Sequence, residues 1–446
     1  MTTVCVVGSG GREHALADVL ARSADVVVTP GNPGMPRARS SSNGHEIRVS
    51  DLEPEAIDAD LVVIGPEVPL VDGLADRLRA LGRAVVGPGA QGAKLEGSKA
   101  FMKEMLNFAK IPTAQFSVFD SNQCDDALKF LDERSSSEGW GASGLWVVKT
   151  DGLAAGKGVL VTGDIEVAKA DVVAKLSGDA FSNSGRRVVI EEGLNGVECS
   201  LLVLCDGRNI APLAPARDFK RIGSGDTGPN TGGMGAYSPL PDVDDRLVDR
   251  LMDEAVEPLV GAMISRGIDY RGVLYAGIML TADGPKVLEY NVRFGDPETQ
   301  VVLPRLADDL VDLLMGVADG NLASSLRSPR FASESSVCVV MAARGYPDAP
   351  LQGDVIWGLD DTGQLARSVP GVSVYHAGTT RDLNSSSRPF VTAGGRVLGI
   401  SALGPTIEKA RSLAYQGAES VNWDGCQVRD DIAADTALAS TREVNF

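Results

Sequence analysis

Residues 287–300 read "VLEYNVRFGDPETQ" and carry the densest chemistry in the chain. In a strand, alternate side chains share a face, so Glu289, Asn291 and Arg293 point one way while Leu288, Tyr290 and Val292 point into packing. A carboxylate and an amide oxygen suit Mg²⁺, which binds through a few protein oxygens and substrate phosphates. An arginine two residues on can neutralise charge developing on a transferring phosphoryl group. Three such groups on an apolar-backed strand are costly to bury without a ligand or partners.

Other stretches could share that chemistry. "VVKTDGLAAGKGVLV" (147–161) resembles a Walker A loop but spaces its glycines one residue too short. It has Gly158 where Ser or Thr should follow Lys157, and a strand where a helix should start. It reads as a hairpin loop whose backbone amides at Gly152, Gly156 and Gly158 could close over phosphates, with Lys149 reaching them from the strand before. Taken alone it reads equally well as a hairpin with solvated lysines. "GSGGREHAL" (8–16) is a glycine loop between strand and helix, a natural anion site. Glu13 stands at the third glycine position of a dinucleotide fingerprint and no ribose-binding acid follows, so a phosphate or phosphosugar fits better than NAD. "RDFKRIGSGDTGPNTGGMGAYSP" (217–239) is a long charged, glycine-rich loop of the kind that is usually functional. "IEEGL" (190–194) could offer its backbone to an adenine edge, with Glu198 toward a ribose hydroxyl.

The elements that position these loops follow from periodicity. Residues 3–98 alternate apolar strands with helical stretches, which predicts a parallel, doubly wound sheet. "SKAFMKEMLNFAKIP" (98–112) predicts a helix with a Ser N-cap and a Pro stop. "DDRLVDRLMDEAVEPLVGAMISRG" predicts one long helix, and "GVLYAGIMLTADGPKVLEYNVR" a hairpin. The polar segment 328–336 marks a boundary before a smaller α+β region.

The 446 residues and net charge of −18 argue against nucleic acid or anionic membrane as partners. No apolar run nears the roughly 20 residues of a membrane span, and the N-terminus lacks a signal peptide's apolar stretch; a cytoplasmic protein is expected. The six scattered cysteines read as buried free thiols, and three histidines are too few and dispersed for a His-based metal site.

Taken together, "GSGGREHAL", "PGNPG", "GPEVPLVDG", "LEGSKAFMK", "VVKTDGLAAGKGV", "KRIGSGDTGPNTGGMGAYSP", "LYAGIMLT", "EYNVRFGDPETQ", "GYPDAPLQGDVI", "YHAGT" and "GGRVLGI" closely resemble the phosphoribosylamine–glycine ligases (glycinamide ribonucleotide synthetases) of the ATP-grasp superfamily, nearly end to end. The resemblance implies an α/β chain. Residues 1–98 would form a preATP-grasp doubly wound domain and 99–328 an ATP-grasp core, with a mobile lid at about 115–192. Residues 329–446 would form a small α+β C-terminal domain. It implies ATP and Mg²⁺ or Mn²⁺ as cofactors, glycine and 5-phosphoribosylamine as substrates, and a monomer. ATP contacts fall on Lys99, Lys103, Lys149, Gly152, Gly156, Lys157, Gly158, Glu191, Leu194 and Glu198, and metal ligation on Glu289 and Asn291. Gly10, Gly11, Arg12, Asn32 and Glu67 would line the phosphoribosylamine side, with Asp218, Lys220, Asn230, Thr231 and Arg293 bordering substrates. Catalytic roles fall on Arg293, Lys149, Asp218 and Lys220. Three positions depart from the family pattern: Thr150 replaces a small residue, Ser224 an aspartate and Ala393 an asparagine. An ATP-grasp ligase for another acid and amine remains the alternative, as does a nucleotide binder without catalysis.

Overall fold

In the computed structural model, residues 1–38, 44–135, 144–153, 158–178, 187–322 and 328–434 are described. The predicted N-terminal sheet forms with five parallel strands in the order Ile47–Val49, Asp25–Pro30, Thr3–Gly8, Leu61–Ile64, Ala84–Val86. Its central strands are covered on both faces, which is why they read as unbroken apolar runs. The order reverses between Thr3–Gly8 and Leu61–Ile64. The loops after these two strands therefore open side by side at the switch point, where such sheets bind ligands.

Two four-stranded antiparallel sheets follow. One has the order Phe116–Asp120, Arg187–Glu192, Trp146–Thr150, Val159–Thr162. Helices Cys124–Ser135 and Ile165–Ser177 close over it. These elements share an apolar core of their own, including Phe119, Leu131, Trp146, Val172 and Ile190. The other sheet has the order Ile210–Pro212, Val197–Asp206, Arg271–Thr281, Gly284–Asn291. The strands on either side of Gly193–Gly196 thus belong to different sheets, and that short loop is the crossing point between them.

One sheet was not foreseen. A five-stranded antiparallel sheet joins Arg217–Asp218, Gly235–Ser238, Ser335–Ala342, Arg396–Gly404 and Val372–His376, so it runs across the expected boundary near residue 328. Helix Ile407–Glu419 packs on it. The stretch 217–239, expected as a loop, is largely short strands: a hairpin pairs Arg221–Gly223 with Thr227–Asn230. Its turn is made by Gly225 and Asp226, both in the left-handed region (φ 68° and 53°). The expected long helix is interrupted: Asp245–Leu251 and Glu257–Ser265 flank a π-turn at Met252–Val256. Pro258 has no N–H to continue the ladder, so the backbone bonds rearrange ahead of it. Among the described residues no helix is long and apolar enough to cross a membrane.

Candidate active site

The two four-stranded sheets face each other across a cavity of about 720 Å³. Its lining joins apolar side chains from both (Val147, Val159, Val161, Met279, Leu288) to the charged cluster of Lys149, Asp218, Lys220 and Glu289. An apolar slot joined to cations suits a flat base with a phosphate tail. The crossing loop contributes Glu191 to Leu194 and Gly196 to the wall.

Glu289 lies on the strand paired to Arg271–Thr281, opposite Gly277. The next pair is Val287 with Ile278, so Leu288 is an extra residue in a bulge. This corrects the simple alternation: Leu288 lines the cavity beside Glu289, because a bulge re-aims side chains where it breaks the ladder. Tyr290 and Val292 are buried as expected. Burial raises the proton affinity of Glu289, but Lys220, Lys149, Lys99 and Arg293 outweigh it and hold the carboxyl below its usual range. It is an ionised oxygen donor in the charged cluster.

The lysines divide into two kinds. Lys149 Nζ lies 3.0 Å from Glu191 Oε1 and donates to the Leu288 carbonyl (3.2 Å), and it faces the cavity. Lys103, expected as a nucleotide contact, is fully buried away from the wall. Its ammonium donates to Thr113 Oγ1 (2.8 Å) and lies 3.2 Å from Glu191 Oε2 and 5.1 Å from the Phe116 ring centre. Burial pushes it down to about 8. Lys99 donates to the Gly152 carbonyl (3.1 Å) at the start of its helix. Ser98 is the N-cap as expected, accepting from Phe101 N (3.1 Å), and Asp151 adds a second cap on Ala100 N (3.1 Å). Gly158 accepts from Thr150 N (2.8 Å); Gly156 and Lys157 lie outside the described residues. Thr150 Oγ1 is buried without a hydrogen-bond partner among the described residues, and nothing in those surroundings explains the replacement.

Glu198 pairs with Lys220, which lies 4.0 Å from Asp218 Oδ1. That Oδ1 is buried and has no hydrogen-bond partner among the described residues. Burial is the largest influence raising the Asp218 carboxyl, Lys220 opposes it, and Glu298, Glu198 and Glu289 add to it. Thr231 is used internally: its N and Oγ1 both donate to the Lys220 carbonyl (2.7 and 2.8 Å), fixing the loop that presents Lys220, while Asn230 lines the cavity.

Arg293 sits past the end of its strand between two carboxylates, Glu67 (3.3 Å) and Glu96 (2.9 Å), and reaches Asn291 Oδ1 (3.3 Å). Glu96 also accepts from Val292 N (2.8 Å). Sequence reading missed Glu96, since it lies 197 positions from Arg293 in an ordinary helical stretch. Glu67 connects this array to the N-terminal sheet; burial raises it, but Arg293 and then Arg12 bring it below its usual range.

At the switch point the glycine loop is partly self-satisfied. Glu13 folds beneath it, accepting from Gly10 N (2.7 Å) and Arg12 Nε (2.5 Å). A Cβ on Gly65 would come 2.1 Å from Glu13 Oε1. The Gly10 amide is therefore taken, as in a capping box, leaving Gly11 and Arg12 at the helix start. Arg12 reaches the Phe294 carbonyl (3.3 Å). Asn32 spends its amide on the Ser9 and His376 carbonyls (2.8 and 3.0 Å) and on Gly34 N (3.0 Å), so it ties loops together. Asp296 and Arg396 (2.7 Å), also missed, close the same cleft from the core and the C-terminal sheet.

Among the described residues no group of three or more His, Cys, Asp or Glu is clustered to hold a metal alone. Glu289, ionised and without a hydrogen-bond donor among the described residues, and the Asn291 amide oxygen suit a hard divalent cation that takes its other oxygens from water and phosphate. Burial pushes the Cys5, Cys199 and Cys205 thiols up to about 12, and none of the six free cysteines lines the cavity.

Three family models match in order: the phosphoribosylglycinamide synthetase N domain at residues 2–96, its ATP-grasp (A) domain at 97–299 and its C domain at 336–435. The chain is 47% identical over 442 residues to a phosphoribosylamine–glycine ligase of Xanthomonas axonopodis pv. citri, covering 96% of each chain. It is 45% identical to that of Streptomyces coelicolor, covering 98% of this chain and 100% of the other. The crystal structure of the Thermotoga maritima phosphoribosylamine–glycine ligase is similar at a TM-score of 0.78 and 32% identity, covering 97% of this chain and 100% of that one. A biotin carboxylase from Campylobacter jejuni shares the fold alone (TM-score 0.67, 12% identity, 96% and 93% covered). Matched from its first strand to its last helix, this chain belongs to the phosphoribosylglycinamide synthetase family.

Proposed function

We infer that this chain is an ATP-dependent carbon–nitrogen ligase. It joins glycine to 5-phosphoribosylamine, giving glycinamide ribonucleotide, ADP and phosphate in purine biosynthesis. The observation that carries this reading is the array of Glu289, Lys149 and Lys220 lining an inter-sheet cavity, in a chain whose full-length relatives bear that activity's name.

In this reading residues 1–98 present the phosphoribosylamine, 99–328 hold the nucleotide, with 115–192 as a lid, and 329–446 complete the cleft. The base lies against the crossing loop near Glu191 and Leu194, with Glu198 toward the ribose. Lys99, Lys149 and the Gly152–Gly158 loop meet the phosphates. Glu289 and Asn291 would hold Mg²⁺, or Mn²⁺ on the same oxygens; the ion supplies charge neutralisation along the phosphates when bound.

A glycine carboxylate oxygen attacks the γ-phosphorus, and the bond to the ADP oxygen breaks. The resulting glycyl phosphate is a mixed anhydride. The phosphoribosylamine nitrogen then attacks its carbonyl carbon, the bond to phosphate breaks, and the nitrogen loses a proton. Lys149 and Arg293 stabilise negative charge on the transferring group. Asp218 and Lys220 border the acceptor, where the unpartnered Asp218 oxygen can accept from an ammonium. Gly11, Arg12 and Glu67 face the phosphoribosyl side, with Gly10 and Asn32 shaping the loops there. A closed site protects the anhydride from water. The protein supplies position and charge and no covalent nucleophile.

The test is ADP release from Mg²⁺-ATP and phosphoribosylamine generated in situ, with and without glycine. Glycine-dependent ADP with matching glycinamide ribonucleotide by mass spectrometry is expected. Glu289→Ala should lower kcat by at least about 100-fold. ATP binding without glycine-dependent ADP would overturn the reading.

A further inference from the structure

The hairpin Arg221–Asn230 carries cavity-lining residues, yet its tip is exposed and has few contacts of its own. What holds it is the segment Arg429–Ala433. Arg429 is 1% exposed at its side chain and spends every guanidinium nitrogen. It donates to the Arg221 carbonyl (3.1 Å) and Asp226 Oδ1 (2.8 Å), and pairs in bidentate fashion with Asp431 (2.7 and 2.6 Å). Its Cζ lies 5.0 Å from the centre of the ring of Phe219, the residue between Asp218 and Lys220. Gly225 N donates to Asp431 Oδ2 (2.8 Å), and Ser224 Oγ donates to Asp430 Oδ1 (2.5 Å). The segment is itself anchored to helix Ile407–Glu419: Arg411 Nε donates to the Ile432 carbonyl (2.9 Å) and Tyr415 OH to the Arg429 carbonyl (2.8 Å).

We propose that Arg429–Asp431 is a clasp that positions the hairpin and the Asp218–Lys220 pair for the acceptor substrate, and that Ser224 is the residue that lets this clasp close. An aspartate at 224 would set a carboxylate against Asp430, with Asp431 and Asp226 close by. Serine donates instead. Arg429 and Ser224 are positioning residues: they act through Phe219, Arg221 and Asp226 and touch no reacting atom. The clasp's hydrogen bonds run to the hairpin and to helix Ile407–Glu419, and its link toward Glu198 is the Lys220 ion pair. The clasp therefore bears first on the acceptor and reaches the nucleotide side through the Lys220–Glu198 pair.

This inference rests on the ligase reading, and its test separates the two. Ser224 and Asp430 are both exposed, so Ser224→Asp and the exchange Ser224→Asp/Asp430→Ser should fold. Ser224→Asp is expected to raise the KM for glycine about fivefold at low salt through like-charge repulsion, less at high salt. The ATP dissociation constant should change less than the glycine KM, because the clasp reaches Glu198 through Lys220. The exchange variant should return the glycine KM toward the wild-type value. Tryptic cleavage after Lys220 or Arg221 reads the clasp without any assay of turnover, and Ser224→Asp should be cut several-fold faster, on the order of the KM change. A Ser224→Asp protein with wild-type cleavage and wild-type glycine KM overturns the clasp, as does an exchange variant no better than the single one. Faster cleavage in a protein whose wild type releases no glycine-dependent ADP keeps the clasp and fails the ligase reading.

Discussion

Glu191 shows how little a residue's type says about its role until its neighbours are known. Its side chain is 2% exposed and lies between two ammoniums, Lys149 at 3.0 Å and Lys103 at 3.2 Å. Burial would raise this carboxyl, but Lys149 and then Lys103 hold it below its usual range, so one buried anion is matched against two buried cations. Removing the anion leaves both cations uncompensated. Glu191→Gln should cost about 3–5 kcal/mol in urea unfolding, whereas Lys103→Met, which leaves Lys149 to pair with Glu191, should cost less. Equal losses in the two variants would refute the triad. From sequence, Lys149 and the stretch 190–194 both stood out as candidates, because each flanks a glycine-bearing loop, and both line the cavity. That Lys103 supports Glu191 from beneath did not stand out, because helical period says which face is buried and not which buried ammonium finds a carboxylate. Glu96 was hidden for the same reason: its partner Arg293 is close only after folding.

Among elements, those with a local signal were readable and those made by long-range pairing were not. The parallel N-terminal strands announce themselves as apolar runs, and helix Lys99–Ala109 by its Ser cap and Pro stop. The bulge at Leu288 has no such signal, because it depends on the register of a partner strand, and neither does the sheet shared by Arg217–Asp218 and the C-terminal strands. The start of helix Lys99–Ala109 joins the two kinds. Asp151, just past the strand that carries Lys149, accepts from Ser98 Oγ (3.0 Å) and Ala100 N (3.1 Å), while Lys99 holds the Gly152 carbonyl. One helix terminus thereby locks Asp151 and Gly152, at the start of the glycine loop, to the helix bearing Lys99. Asp151→Ala should destabilise by about 1 kcal/mol, as lost caps do, and should raise the KM for ATP more than that for glycine. Thermal unfolding and substrate-by-substrate kinetics check both. A stability loss with an unchanged ATP KM would make Asp151 a cap and nothing more.

At the scale of the whole molecule the N-terminal sheet and the C-terminal sheet meet at two buried imidazoles, His14 on helix Gly11–Leu20 and His376 on strand Val372–His376. His14 Nδ1 accepts from His376 N (2.9 Å), so it carries no proton there. His376 Nε2 faces the Gly363 carbonyl (2.7 Å), which only accepts, so that nitrogen holds the proton, and Nδ1 is left to accept from Thr379 Oγ1 (2.9 Å). Both rings are neutral, and the joint is built for neutral rings. Burial lowers His376 to about 4, helped by Arg381 and opposed by the Gly363 hydrogen bond. Burial lowers His14 well below its usual range, with His376 and Arg37 adding to it. In the unfolded chain both bind protons near pH 6.5. Between that pH and the lower folded values the unfolded state holds more protons, so stability is fully present above about pH 6.5 and falls as the pH drops toward 4. His376 alone should account for roughly 2 kcal/mol of loss between pH 7.5 and 5. Urea midpoints at those two pH values, for the wild type and for His376→Gln, isolate this from the carboxylates that titrate in both. The variant should be less stable at pH 7.5 and should lose less on acidification. An identical pH slope in the two proteins would mean that the joint between the sheets is indifferent to charge on His376.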